Sequence, residues 1–213
     1  MNAAPVLQLP GWSIVCLRPS PQQAAVRRAV QARGACHVAL PGLRLAPMPD
    51  DLRARIELQC ALRCEAVVFT SPAAVAFAAR LLPLSELVSA WVFAVGEGTR
   101  RALARQGVEA IAPPPDAMHS EGVLALPQWR GIAAPVGLVT APGGRGTIAA
   151  GLAQRGLEVL RAEVYHRLPP RLDACHLRAL ALAPAPRAVL LSSGEALDAV
   201  IGALPAGLLP VLL

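Results

Sequence analysis

The residues that could do chemistry are small and hydroxylic, and they recur where apolar runs stop. Thr70 and Ser71 follow the run 66–69, Thr99 follows 91–95 through Gly96-Glu97-Gly98, and Thr140 ends 135–140. Ser120 opens the stretch 120–126, and Ser192-Ser193 follow 188–191. A short apolar run that ends in Ser or Thr and passes into a helical pattern reads as a buried parallel strand feeding a helix N-terminus. In parallel α/β sheets ligands bind at the carboxyl ends of the strands. Hydroxyls and free backbone N–H groups gathered there suit an anionic ligand held by many weak donors. Each hydroxyl taken singly is accounted for as an N-cap, so only their joint placement points to binding.

Other chemistries find less support. His37, His119, His166 and His176 are far apart, and no G-x-S-x-G elbow is present. Five cysteines form no C-x-x-C pair, and Cys60 and Cys64 lack histidines at zinc spacing, so reduced thiols and no metal are expected. Gly96-Glu97-Gly98-Thr99 lacks the third glycine of a dinucleotide loop, and residues 142–146 lack the Gly-Lys-Ser/Thr of a phosphate loop. Tyr165 is the only tyrosine and ends the stretch 157–165, where a long strand is expected. It reads either as a packed ring with a hydrogen-bonded tip or as the one phenol able to donate a proton.

The chain has 213 residues, 54% of them apolar and only 3% aromatic, with a net charge of +6 carried by scattered arginines. Without aromatic interleaving that balance is poor support for nucleic-acid binding, and a polyanionic small molecule explains it equally well. No uncharged apolar run reaches membrane-spanning length, and no basic stretch precedes the first apolar residues, so a cytoplasmic protein without a membrane partner is expected.

The elements that must position these residues come in two copies. The unit at 66–83, AVVFTSPAAVAFAARLLP, recurs at 188–205 as AVLLSSGEALDAVIGALP, 122 residues on and without a gap (66 to 188). Gly34 and Gly156, each ending a helical pattern in Arg-Gly, lie at the same displacement (34 to 156). Strands alternating with helices imply parallel sheets covered on both faces. The expected helices include 22–33, with Ala25, Ala29 and Ala32 inward, and 50–63, with Leu52, Ile56 and Cys60 inward. A short strand is expected at 108–112, and linkers at 41–49 and around Pro169-Pro170. By the same displacement the final Pro210-Val211-Leu212-Leu213 falls on the start of the strand at 91–95. About 30 residues that would complete one parallel unit do not follow, so the second copy reads as truncated.

Taken in order, several stretches resemble uroporphyrinogen-III synthases: Leu17-Arg18-Pro19 with its following helix, FTSPAAV (69–75), VGEGTRRAL (95–103), SEGVLAL (120–126), GGR (143–145), RGLEVLRAEVYHR (155–167) and LLSSGEALDAV (190–200). The resemblance implies two similar parallel-sheet α/β domains joined by a two-strand linker. One is discontinuous, residues 1–40 with 171–213, and the other spans 41–170. It implies a monomeric, cofactor-free lyase that takes linear hydroxymethylbilane, removes water, inverts the D ring through a spiro intermediate and closes the macrocycle. Tyr165 matches the family tyrosine proposed to assist departure of the A-ring hydroxyl. Arg18, Ser71, Gly96, Thr99, Ser120, Arg145, Ser192 and Ser193 would line the substrate cleft. Leu17 and Ala73 stand where the family usually has Thr and Asn, and the second VGxxT segment is absent. The competing expectations are a two-domain module, such as an inactive truncated synthase, that binds a small anion without chemistry, and a nucleotide-dependent enzyme using 96–99.

Overall fold

In the computed structural model, which describes residues 8–87, 91–143, 146–191 and 193–212, strands and helices alternate. The chain runs β1 (Ser13–Cys16), α1 (Gln23–Gln31), β2 (Cys36–Ala39), β3 (Arg44–Pro47), α2 (Asp51–Leu62), β4 (Ala66–Phe69), α3 (Pro72–Leu81), β5 (Trp91–Ala94) and α4 (Glu97–Ala104). It continues through α5 (Ser120–Leu124), β6 (Val136–Thr140), α6 (Thr147–Ala153), β7 (Val159–Glu163), β8 (Tyr165–Leu168), α7 (Ala174–Ala181), β9 (Arg187–Leu190), α8 (Gly194–Ala203) and α9 (Leu209–Leu212). Two compact units result, one of Met1–Leu45 with Arg167–Leu213 and one of Ala46–His166. β3 and β8 pair with each other in a two-stranded sheet.

The central unit holds a sheet in the order β5-β4-β6-β7, with each neighbouring pair parallel. β4 is apolar at every position because helices cover both of its faces, and all four of its residues are buried. Val68, Phe93, Leu138 and Leu152 form the core with Trp129, which stacks on Phe93 at 4.3 Å and donates its indole N–H to the Val123 carbonyl at 2.7 Å. Each such large side chain contributes about 1.5–3 kcal/mol on burial.

The rotation of α2 differs from expectation. Leu52 and Ile56 are 69% and 53% exposed and Cys60 is exposed, whereas Ala54, Leu58, Ala61 and Leu62 are buried. Gly137 on β6 explains this: with no side chain it lets the Ala61 carbonyl come so close that a Cβ there would collide with it. The face that approaches to that depth therefore carries Ala61 at the contact, with Leu58 and Leu62 packed beside it.

The other unit is a sheet in the order β2-β1-β9, again parallel, over a core of Val15, Leu17, Val38, Leu40, Leu180, Val200 and Leu204. In α1 the expected inward alanines are exposed, and Gln23 and Val30 are buried instead. The Gln23 amide reaches the Cys16 and Arg18 carbonyls at 3.3 and 2.6 Å, and a buried amide that must be paired sets the rotation of its helix.

The repeat is carried into the strand registers. Ala66 pairs with Val136 and Ala188 with Ile14; Val136 pairs with Val159 and Ile14 with His37. Each of these pairs maps onto the other by 122 residues (66 to 188, 14 to 136, 37 to 159), and so do the bounds of α3 and α8 (72 to 194, 81 to 203).

Four expected segments came out differently. The expected strand 157–165 is divided: β7 ends at Glu163, with the Val164 N–H closing its ladder on the Thr140 carbonyl at 3.1 Å, and β8 starts at Tyr165 and pairs with β3. The first linker contains β3. Of 108–112, only Ile111 bridges to the sheet, through Phe93. Leu209–Leu212 is helical rather than strand-like, because Leu212 thereby packs into the Leu180–Leu204 cluster. No described helix is long and apolar enough to cross a membrane.

Candidate active site

The carboxyl end of β4 assembles the chemistry of the central unit. Ser71, in extended conformation with φ −161°, caps α3 by accepting the Ala74 N–H at 3.0 Å, and Pro72 follows as the first helical residue. Thr70 donates its N–H to the Val139 carbonyl at 3.1 Å, and its hydroxyl lies 3.2 Å from that of Thr140. Thr70 and Thr140 thus tie β4 to β6 and leave Ser71 facing outward from the sheet edge.

Tyr165, the first residue of β8, reaches this point. Its ring is 4% exposed, and its hydroxyl lies 3.2 Å from Ser71 Oγ. Ser71 already accepts the Ala74 N–H, so its own proton is available to the Tyr165 oxygen. With its second lone pair Ser71 can equally accept the phenolic proton, so either hydroxyl can donate in this contact. The N-terminus of the ten-residue α3 adds a favourable field for negative charge on that oxygen. Phe77 of α3 stacks on the Tyr165 ring, with centroids 5.3 Å apart and planes 17° from parallel.

Gly96 caps α4 in extended conformation, and the Glu97 N–H points at Met118 Sδ at 3.4 Å. Gly98 lies against Pro72, a Cβ there standing 3.4 Å from the Pro72 ring, so the N-termini of α3 and α4 adjoin. Thr99, in the first turn of α4, is 3% exposed and faces the interior. Glu97 accepts from Arg100 at 2.7 and 2.8 Å and from Arg101 at 2.7 Å. These hydrogen bonds pull its carboxyl down to about 2 and commit both guanidinium groups within α4. Ser120 is the first residue of α5, but the cap is His119, whose Nδ1 accepts the Gly122 N–H at 3.2 Å.

In the other unit, Arg18 is exposed in the turn after β1, its carbonyl held by Gln23. Ser193 caps α8 and accepts the Ala196 N–H at 3.2 Å. A cavity of about 320 Å³ opens nearby, lined by Ser20, Leu43, Arg44, Arg171 and His176 among others. Of the expected site residues, Arg145 and Ser192 lie outside the described residues. Ser71 and Tyr165 are brought into contact; Gly96, Thr99 and Ser120 lie at the adjoining helix starts; Arg18 and Ser193 belong to the other unit. Reasoning from sequence missed Phe77, Gln23 and Met118. In a chain with only three phenylalanines, Phe77 on the same helix as Ser71 was the signal available.

The family model described as HEM4, uroporphyrinogen-III synthase HemD, matches residues 24–209. The chain belongs to the uroporphyrinogen-III synthase family. Its fold is similar to that of a mutant uroporphyrinogen III synthase from the extremely thermophilic bacterium Thermus thermophilus, with a TM-score of 0.59 at 18% identity over 93% of this chain and 80% of that one. Uroporphyrinogen-III synthetase from Helicobacter pylori gives a TM-score of 0.55 at 17% identity over 91% and 78%. No curated protein sequence matches. A uroporphyrinogen-III synthase cyclises hydroxymethylbilane with inversion of one ring and loss of water, and it uses no cofactor.

Proposed function

We propose that in this synthase Tyr165 is the proton donor to the departing A-ring hydroxyl and that Ser71 supports it. The pyrrole nitrogen lone pair pushes toward the ring methylene, the carbon–oxygen bond breaks, and the hydroxyl takes the phenolic proton and leaves as water. An azafulvenium cation remains, which the substituted carbon of the D ring attacks on the way to the spiro intermediate. The phenolate formed at Tyr165 accepts from the Ser71 hydroxyl beside the α3 N-terminus. The observation that carries this is the 3.2 Å contact of the only phenol with a hydroxyl that also accepts the Ala74 N–H at the start of α3.

Gly96 and Ser120, at the starts of α4 and α5, support a role in holding substrate carboxylates, as do Arg18 and Ser193 in the other unit. Thr99, facing inward, supports the loop rather than touching ligand. The partner is the small-molecule substrate, with neither nucleic acid nor membrane required.

Hydroxymethylbilane is supplied to the protein and the type I and type III product isomers are separated. Wild type yields type III, and Tyr165→Phe lowers kcat about 100-fold, within the range for loss of one general acid. Formation of type I alone, the isomer that closes spontaneously, sinks the reading.

A further inference from the structure

Tyr165 is gripped by two residues of one helix. Ser71, at the cap of α3, meets its oxygen, and Phe77, six residues on, covers its ring at 5.3 Å and 17°. Arg80, one turn further, holds its guanidinium 5.5 Å from the Phe77 centroid, a cation–π contact that steadies the covering ring.

The duplication supplies an internal control. Displaced by 122 residues, Ser71 corresponds to Ser193, Phe77 to Ala199 and Tyr165 to Leu43 (71 to 193, 77 to 199, 43 to 165). The cap is present in both copies, with the same acceptor role toward the N–H three residues on. The aromatic pair is present in one. Leu43 is buried, so burial at that position is met by an aliphatic residue where no phenol is needed. The Phe77–Tyr165 stack is therefore an addition to the shared architecture, made in the copy that carries the phenol.

We propose that Phe77 is a positioning residue for the reaction: its ring sets the plane of Tyr165, so that the phenolic O–H, steadied at its oxygen by Ser71, points in one direction. Without the stack the ring pivots about its Cβ–Cγ bond, and the proton is delivered along a worse line. Loss of alignment at a reacting group costs rate without a matching loss of binding. This rests on the role given above to Tyr165.

Because Tyr165 is the only tyrosine, ring-labelled tyrosine gives one set of NMR signals from the full-length chain. In wild type the stacked Phe77 ring shifts these signals away from their free-tyrosine positions, and in Phe77→Leu that shift is lost. The same variant lowers kcat about 10-fold with KM within twofold of wild type, and Phe77→Tyr, which keeps the stack, recovers most of the rate. An unshifted tyrosine signal in wild type overturns the proposal without any variant. So does Phe77→Leu with unchanged kcat, or a loss in Phe77→Leu that Phe77→Tyr does not restore. Should Tyr165→Phe retain full activity, the Tyr165 reading fails instead, whatever the signals show.

Discussion

Ser71 and Ser193 make the same hydrogen bond 122 residues apart, each accepting the N–H three residues on, from Ala74 and Ala196. Only Ser71 also meets a tyrosine. The same unit thus serves twice as scaffold, and the contact with a phenol is present at one of the two equivalent sheet ends.

The two caps separate stability from catalysis. Ser71→Ala and Ser193→Ala each lower unfolding free energy by about 1 kcal/mol through the lost cap, read by urea denaturation. Ser71→Ala also lowers kcat about 10-fold, the worth of one hydrogen bond to a charged group. Equal kcat values in the two variants would contradict the Ser71–Tyr165 pairing.

Gln23→Leu keeps the volume of a buried residue and removes the amide that donates to the Arg18 carbonyl and, beside the Leu40 N–H, to that of Cys16. Loss of these hydrogen bonds costs about 0.5–1.5 kcal/mol, seen as a lower urea midpoint with unchanged slope. A midpoint equal to wild type would mean that the Gln23 amide does not set the rotation of α1.

Gly137→Ala tests the close approach of α2 to β6. Its Cβ would meet the Ala61 carbonyl, and the helix must move away. A loss of about 1–3 kcal/mol is expected, the usual range for overpacking a tight interior. Gly131→Ala, at a position open to space, serves as the neutral comparison.

His37 makes the stability of the first unit depend on pH. Burial, and then the charge of Arg27, lower its pKa below the ordinary 6.5, and its buried Nε2 has no partner among the described residues. The folded state therefore favours the neutral ring. Its contribution is complete above pH 6.5 and is lost as pH falls through the lower folded value. The melting temperature should hold between pH 8 and 7, fall below 6.5, and fall less in His37→Gln, as scanning calorimetry reads directly.

Arg44 and Arg171 line the 320 Å³ cavity, both exposed, with His176 beside them. If substrate carboxylates reach it, Arg44→Gln with Arg171→Gln raises KM about 10-fold and leaves kcat within twofold, consistent with one or two lost charged hydrogen bonds. An unchanged KM removes the cavity from the substrate path.

The sequence by itself determined the alternation of strands and helices, the repeat and the caps. Those signals are local: an apolar run, a hydroxyl that can accept an N–H three residues on, and a proline where the helix lacks a partner for it. It also singled out Tyr165, because one phenol in 213 residues needs no structure to be noticed.

What only the tertiary structure decided involves residues far apart in the chain. The contact of Ser71 with Tyr165 spans 94 residues. The faces of α1 and α2 were misread because alanine and leucine spacing counts apolar residues alone. A buried amide at Gln23 and a missing side chain at Gly137 chose the inward faces instead. The helix Leu209–Leu212 follows the same logic, since core neighbours override a local apolar pattern.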